Sequence, residues 1–493
     1  MNLKTLLLIA TLCCGFHIQA QIVNIPDANF KNALVNELVV DTNGDGTPNA
    51  DADTNDDGEI QESEAEAVLR LYIRDMGIAD MEGMQSFVNL IRLSASFNEF
   101  TSIDVSNCSQ LEDLFVAQGD LGALDVSANT QLEVLGCNSN SINNLVLGNL
   151  PNLRWINASS NPISSLDLTQ LPALTNLDIS NMSLSSIDVT QNPLLDRFLI
   201  SSNNLNSIDV SQNPLLNFFQ CGGNNLSTID ISQNLVLERF DCGNNNLSSL
   251  DVTQNIELTS LSFGFNSISS IDLSQNPNLE SLNCFVNNLT ALDVSLNQAL
   301  DLIQCSDNQL TSLDLTQNPL LERLQLADNN LQEMDLSNNP LLFNIYLYEN
   351  NLKELNIANG ANQNLQDMFV YDNPDLLCIE VDDVVYANEQ ECDLPGVDGW
   401  CKDETAEYSL KCGLGTDEFE LANVQLVPNP ARDVVLVRSE QPLESIQLIN
   451  ANGRMISEIK NTDRIDVSDL ASGIYFLKVV SNNAVHTIKL IVE

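Results

Sequence analysis

The amino-acid sequence predicts a mainly β protein. It reads as a solenoid of 21-residue units with parallel β on the concave face and little convex helix, closed by a short helical N-terminal cap, followed by a C-terminal antiparallel β-sandwich. Three observations predict this. The pattern Leu-x-x-Leu-x-Leu-x-x-Asn recurs in 21-residue register. A short amphipathic segment and an acidic loop precede it. After Cys412 the repeat stops, and alternating apolar segments separated by turn signals take over. A 493-residue chain would otherwise suggest about three domains at ~150 residues each.

The closing position of the unit falls at Asn98, Asn140 and Asn161, then every 21 residues from Asn203 to Asn350, with Gly119 and Met182 as substitutes. A weaker unit with Val68, Leu71 and Ile73 precedes, and Asn373 follows a two-residue insertion near Gly360-Ala361. That makes about fifteen units. Leu-x-Leu alternation gives one short strand per unit with the apolar residues inward. The Asn can satisfy backbone groups where the chain leaves the strand. A second alternating segment, such as Leu313-Asp-Leu315, follows, and Asn-Pro turns the chain back. Fifteen coils at ~4.8 Å per strand give a solenoid on the order of 70 Å long. The unit Leu321-Glu-Arg-Leu-Gln-Leu-Ala-Asp-Asn329-Asn-Leu-Gln-Glu-Met-Asp-Leu-Ser-Asn-Asn-Pro-Leu341 resembles the leucine-rich repeat family, and the resemblance covers residues 66–376.

Residues 1–20 read as an export signal: Lys4, an apolar core from Leu6 to Cys14, and a cleavage site at Ala20. The residues before Cys13 and Cys14 are not the small ones a lipoprotein site wants. No other segment is long and apolar enough to cross a membrane. Residues 21–65 form the N-terminal cap. A helix is expected from Pro26 to Val39, with Phe30, Leu34 and Leu38 on one face. Then comes Asp53-Thr-Asn55-Asp-Asp57-Gly58-Glu59-Ile60-Gln61-Glu-Ser-Glu64, which matches the EF-hand loop at its first, third, fifth, sixth and twelfth positions, followed by an acidic helix from Ser63 to Leu69. Alternating oxygen ligands, a turn Gly and a final bidentate Glu are what Ca2+ needs. Asp53, Asn55, Asp57, Glu59, Gln61 and Glu64 are therefore the candidate ligands of a structural Ca2+, against a solvated acidic loop. Asp41-Thr-Asn43-Gly-Asp45-Gly46 starts a similar loop, but Pro48 and Ala52 stand at its eighth and twelfth positions.

Two columns run through the repeats. Cys137, Cys221, Cys242, Cys284 and Cys305 replace the third inward Leu. The alternatives are a metal site or disulfides, for Cys221/Cys242 and Cys284/Cys305 would be strand neighbours close enough to bridge. Parallel in-register strands suit a disulfide poorly, however, and buried thiols are expected. An Asp column, Asp104 to Asp335 with Val146 interrupting it, lies on the convex side. Its carboxylates are expected to bond to turn amides, with cation binding as the alternative.

Residues 377–412 contain Cys378, Cys392, Cys401 and Cys412, an even number in an exported chain. Cys378-Ile-Glu-Val-Asp-Asp and Gly-Trp400-Cys-Lys-Asp resemble the closing segment of leucine-rich proteins of the Bacteroidetes type, which implies pairing of Cys378 with Cys412 and then of Cys392 with Cys401. Residues 413–423 read as a linker. Residues 424–493 carry seven Lys/Arg and eight Asp/Glu, nearly neutral. Val427-Pro428-Asn429-Pro430, Asn452-Gly453-Arg454, Asp466-Val-Ser-Asp-Leu470, Gly473-Ile-Tyr475-Phe and Lys489-Leu-Ile resemble the C-terminal sorting domain of the type IX secretion system. Val427 stands where Tyr is usual, and the chain ends Val-Glu. The resemblance implies engagement of the type IX machinery and release to, or attachment at, the outer surface of a Gram-negative bacterium.

A net charge of −49, from 19 Lys+Arg against 68 Asp+Glu, argues against nucleic acid and anionic membranes. The only histidines, His17 and His486, lie outside the repeats, so Ser-His-Asp, Cys-His and His-ligated zinc chemistry are excluded there. Carboxylates are abundant, but none is isolated as a pair in a pocket, so no enzyme is expected. The expected function is recognition of, or adhesion to, a protein on another surface; the alternative is calcium-dependent carbohydrate binding. Binding would use the concave sheet. Trp155, Asn176, Arg197, Phe218 and Arg239 share one column through successive coils. A second patch holds Arg323, Tyr346, Tyr348, Phe369 and Tyr371. Aromatic and Arg residues are the usual interface anchors.

Overall fold

One strand of three residues per coil, with its middle side chain buried and its ends facing out, is enough to build the concave face. The computed structural model stacks fifteen such strands in one parallel sheet, from Arg70–Tyr72 to Asp367–Phe369. It describes residues 21–393, 398–412, 425–438, 445–450, 454–460, 462–481 and 484–492; the expected signal and linker lie outside these. Pairing is in register at every step, so identical repeat positions stand side by side. The buried middle residues form a continuous core, in which Phe198, Phe219 and Phe240 stack at 5.5 and 5.6 Å.

The convex side is mostly turns, with short parallel pairings such as Ala123–Asp125 with Asn144–Val146 and Glu333–Asp335 with Glu354–Asn356. Among the described residues from 70 to 376, helix is confined to two 3-10 turns, Met84–Ser86 and Asn362–Asn364. The second follows directly on Gly360-Ala361, where the insertion falls. The Asp column bonds to turn amides as expected: Asp167 Oδ1 accepts from Thr169 N (2.9 Å) and Thr169 Oγ1 (2.7 Å).

Two buried asparagine ladders join the coils. In the first, Asn224 Nδ2 donates to Cys221 O in its own coil and Ile200 O in the preceding one (both 3.0 Å), while its Oδ1 accepts from Leu205 N (3.1 Å). In the second, Asn213 Nδ2 donates to Val189 O (3.0 Å) and Asn192 O (2.9 Å), and the same bonds recur from Asn192 to Asn339. The sequence suggests only a turn role for this second set, five of whose eight members from Asn192 to Asn339 begin Asn-Pro dipeptides. Its members are fully buried and join coils.

The residue before each closing Asn is left-handed. Phe97, Ser202, Phe265, Val286, Asp307 and their counterparts have φ between 51° and 63°, and only one coil places Gly there, Gly223. The conformation belongs to the turn off the strand itself: Gln118 and Asn181 hold it, at φ 57° and 54°, where Gly119 and Met182 replace the ladder Asn.

The caps differ from expectation in detail. The first helix spans Ala28–Asn36, shorter than Pro26 to Val39, and Asp27 caps it by accepting from Phe30 N at 2.8 Å. Because Glu37 is already extended, Leu38 leaves the apolar face and is 64% exposed, while Val39 is buried. The acidic helix expected from Ser63 to Leu69 is a single turn, Glu62–Ala65, held by a capping box between Gln61 and Glu64. At the far end Cys378 is bonded to Cys412 and Cys392 to Cys401, with Cα atoms 5.8 and 4.9 Å apart. A helix not read from the sequence, Val384–Asn388, covers this end. There Trp400 is buried, its Nε1 donating to Leu365 O at 3.1 Å.

One cysteine expectation is overturned. Cys284 and Cys305 are joined rather than free, because in-register neighbours bring their Cα atoms to 4.8 Å, inside the range a disulfide spans. Cys137, Cys221 and Cys242 are buried thiols, and burial pushes Cys137 up to about 12.

The second compact unit, residues 413–493, is a sandwich of two antiparallel sheets. One comprises Gln425–Val427, Val434–Arg438 and Arg464–Asp466; the other comprises Met455–Lys460, Ser445–Asn450, Gly473–Ser481 and Ala484–Val492. Inward residues of both, including Val435, Ile465, Ile446 and Leu477, make its core.

Candidate functional site

In-register pairing puts the predicted row in one line. Trp155, Asn176, Arg197, Phe218 and Arg239 are each the first residue of a strand, and each is opposite the next. Adjacent strands are ~4.8 Å apart, so the row spans on the order of 20 Å. Trp155 and Phe218 are half-buried, while Arg197 and Arg239 are exposed. The Arg197 guanidinium carbon lies 3.8 Å from the centroid of the Phe218 ring. Three residues earlier in the same coils, Leu194, Leu215 and Val236 are 45%, 48% and 42% exposed, which adds aliphatic surface to this stretch of coils.

A further set of contacts extends from the same Trp toward the N-terminal end and was not read from the sequence. Phe115 lies 6.3 Å from Trp155, centroid to centroid. A Cβ on Gly136, between them, would meet the Phe115 ring at 2.9 Å and the Trp155 ring at 3.5 Å, so a glycine is what lets both rings reach over that strand. Arg92 lies 5.0 Å from the Phe115 centroid and 5.7 Å from that of Tyr72, and pairs with Asp113 at 2.9 Å. The signal was missed because it is diagonal: Arg92 and Trp155 occupy the first strand position, Tyr72 and Phe115 the third.

The second predicted patch is also assembled. Tyr346 stacks on Phe369 (4.9 Å, 17°) and Tyr348 on Tyr371 (5.1 Å, 3°). Phe369 is only 4% exposed, so it supports Tyr346 and offers little surface of its own. Arg323 does not join the rings; its guanidinium carbon lies 5.6 Å from the centroid of Phe343.

The acidic loop closes on itself. Asp53 is buried and accepts from Asp57 N (3.2 Å) and Gly58 N (2.8 Å). Gly58 has φ +84°, the left-handed turn that favours glycine. Glu64 Oε1 accepts from Thr54 Oγ1 (2.9 Å) and Asn55 N (3.2 Å), and its Oε2 from Gln61 N (3.0 Å). Gln61 bridges the interior, donating to both Asp57 oxygens at 3.1 and 3.0 Å while accepting from Asn55 Nδ2 at 2.6 Å. Glu59 pairs with Lys31. The donor set is all hard oxygen, which fits Ca2+. Among the described residues no three acidic side chains converge as a metal group. Asp41 repeats the motif, accepting from Gly44 N (2.6 Å) and Gly46 N (2.9 Å).

Residues 425–493 match the family model of the secretion system C-terminal sorting domain. Among solved structures the chain is similar to the functional domain of InlJ from Listeria monocytogenes, described as including a cysteine ladder. That match has 24% identity and a TM-score of 0.63, and covers 96% of this chain and 98% of that one. It is also similar to a leucine-rich repeat protein of Leptospira interrogans, at 21% identity and a TM-score of 0.55, over 59% of this chain and 80% of that one. At these identities the likeness is one of fold. No curated protein matches the chain in sequence. No described helix is long and apolar enough to cross a membrane.

Proposed function

Because the chain is a leucine-rich repeat protein carrying a C-terminal sorting domain for type IX secretion to the cell surface or outside, we propose that its solenoid recognises a protein on another surface through the concave sheet. Adhesion follows where the protein stays attached to its own cell. The observation that carries this is the line from Trp155 to Arg239, with Arg197 packed on Phe218 and exposed aliphatics in the same coils. Rigid aromatic and Arg side chains on a flat, regular sheet suit a protein epitope, and a row on the order of 20 Å is longer than a small molecule needs. No chemistry is assigned to this face.

Calcium has a structural role in this proposal. Asp53, Asn55, Asp57, Gln61 and Glu64, with the Glu59 carbonyl, would hold Ca2+ in the loop that seals the first coil, supplying charge neutralisation there.

The test is affinity capture with the full chain as bait against solubilised surface proteins of neighbouring bacteria and host cells. A protein retained by the wild type and lost with both Trp155→Ala and Arg239→Ala supports concave recognition. Retention by both variants moves the site off this row.

A further inference from the structure

Resting on that proposal of concave recognition, we infer that the C-terminal end of the concave face, built on the stacked pairs Tyr346–Phe369 and Tyr348–Tyr371, binds an extended Lys/Arg-rich polypeptide segment. The platform spans two neighbouring coils and places three tyrosines, half-buried, on the surface over the buried Phe369. A guanidinium or ammonium over an aromatic face gains a cation–π attraction.

Charge selects the occupant. The left-handed position beside these rings carries an acid in four successive coils: Asp307, Asp328, Glu349 and Asp372. On the other side Asp367 and Asp398 lie near Tyr346. None of these six carboxylates is in an ion pair among the described residues, where the pairs are Lys31–Glu59, Arg92–Asp113 and Arg154–Glu133. The crowding is felt. A hydrogen bond with Asp328 and its charge raise the Glu349 carboxyl, and burial then the Asp328 charge raise Asp307. Burial first, then the neighbouring Tyr371 and the acids of the row, raise the Tyr348 hydroxyl. An incoming cation relieves this repulsion and an anion aggravates it.

Spacing sets the length. Four coils at ~4.8 Å extend the acidic row over about 15 Å, and an extended peptide presents same-side residues every ~6.8 Å. Three basic residues at alternate positions span the row, at about 14 Å. A metal ion fits less well, since no three of these acids form a group able to hold one. A neutral sugar fits less well too, since the acids offer an uncharged ring no Coulombic gain.

The experiment titrates the full chain with a fluorescent peptide of alternating Arg and Ser, its Glu/Ser counterpart, and a neutral β-linked glucose hexamer. The basic peptide is expected to bind saturably, the other two not. Affinity should fall about tenfold in Tyr348→Ala/Tyr371→Ala and in Asp328→Asn/Glu349→Gln, the size of loss expected of an anchor. A convex control, Asp230→Asn/Asp251→Asn, should leave it unchanged. Equal loss in the convex control, or no loss in either platform variant, means diffuse attraction to an acidic protein and overturns the inference. Binding of the hexamer alone overturns it in favour of a glycan. Failure here with Trp155-dependent capture intact refutes the basic-peptide site while leaving concave recognition standing.

Discussion

The guanidinium carbon of Arg197 sits 3.8 Å from the centre of the Phe218 ring, one coil away in the same strand column. The two side chains fix each other at the surface of an acidic solenoid, so a partner meets an ordered cation and ring. Ordering in advance lowers the entropy cost of binding.

Breaking one rung of the first asparagine ladder should be costly. Asn224→Ala leaves Leu205 N–H without a partner inside the core, while Ile200 O and Cys221 O each fall from two side-chain donors to one, Asn203 and Asn245. Each buried group left unpaired costs about 1–3 kcal/mol. Long repeat arrays do not unfold in one step, so the measurement is amide exchange. The Leu205 amide should lose protection while amides ten coils away keep theirs; unchanged exchange at Leu205 would contradict the ladder's role.

Val286 should be improvable. A β-branched residue at φ 51° is strained, and the left-handed conformation costs ordinary residues about 1–2 kcal/mol. Asn244 holds the same repeat position at the same φ of 51°, so the site accepts Asn. Val286→Asn is expected to raise the melting temperature by differential scanning calorimetry. A lower melting temperature would mean that the Val286 side chain contributes more by packing than its backbone loses.

Acid should weaken the passenger through its convex face. The hydroxyl and then the amide of the residue two positions on hold Asp167, Asp188 and Asp209 below the usual carboxylate value. A depressed folded value contributes stability at pH above the unfolded value, about 3.9, and that contribution is lost as pH falls through the folded value. Asp307 and Glu349 act oppositely, since their raised values favour the protonated folded form, but the convex column has more members. Melting temperature should therefore drop below about pH 4. A profile flat from neutrality to about pH 2.5 would count against the convex contribution.

Calcium binding to the folded loop should stabilise it by mass action. Millimolar Ca2+ is expected to raise the melting temperature of the wild type. Glu64→Ala should melt lower on its own, because it loses the capping box, and should also lose most of the calcium-induced rise. The second effect is the informative one. No heat of Ca2+ uptake by the wild type in a calorimetric titration would leave the loop a self-bonded acidic turn.

The solenoid was legible because inward Leu at a fixed period has no competing explanation, and the sandwich because its alternation and turn residues are local. What escaped is what the linear pattern does not encode. Asn213 and its equivalents look like turn residues before Pro, and their burial depends on the coil before them. Phe97 and Val286 carry no composition cue for a left-handed backbone; the turn off the strand requires it, as it does at Gln118 and Asn181 where no ladder Asn follows. The period makes Cys284 and Cys305 neighbours within bridging distance, but it makes Cys221 and Cys242 the same, and only the first pair is joined. Of the concave site, the Trp155–Arg239 column could be read by period alone. The Tyr72–Arg92–Phe115–Trp155 contacts could not, since they cross columns and the last of them needs the gap at Gly136. Phe369 shares the period of the surface tyrosines yet lies beneath one of them.

The most direct test of concave recognition is site-specific photo-crosslinking. A photoreactive phenylalanine analogue replaces Phe218 on the concave sheet or, in a separate preparation, Gln275 on a convex turn of the full chain, and each is irradiated on the surface of target cells. Adducts to a discrete protein from position 218, absent from position 275 and suppressed by Trp155→Ala, are the expected result. Adducts from position 275 alone, or equally from both, would contradict recognition through the concave row.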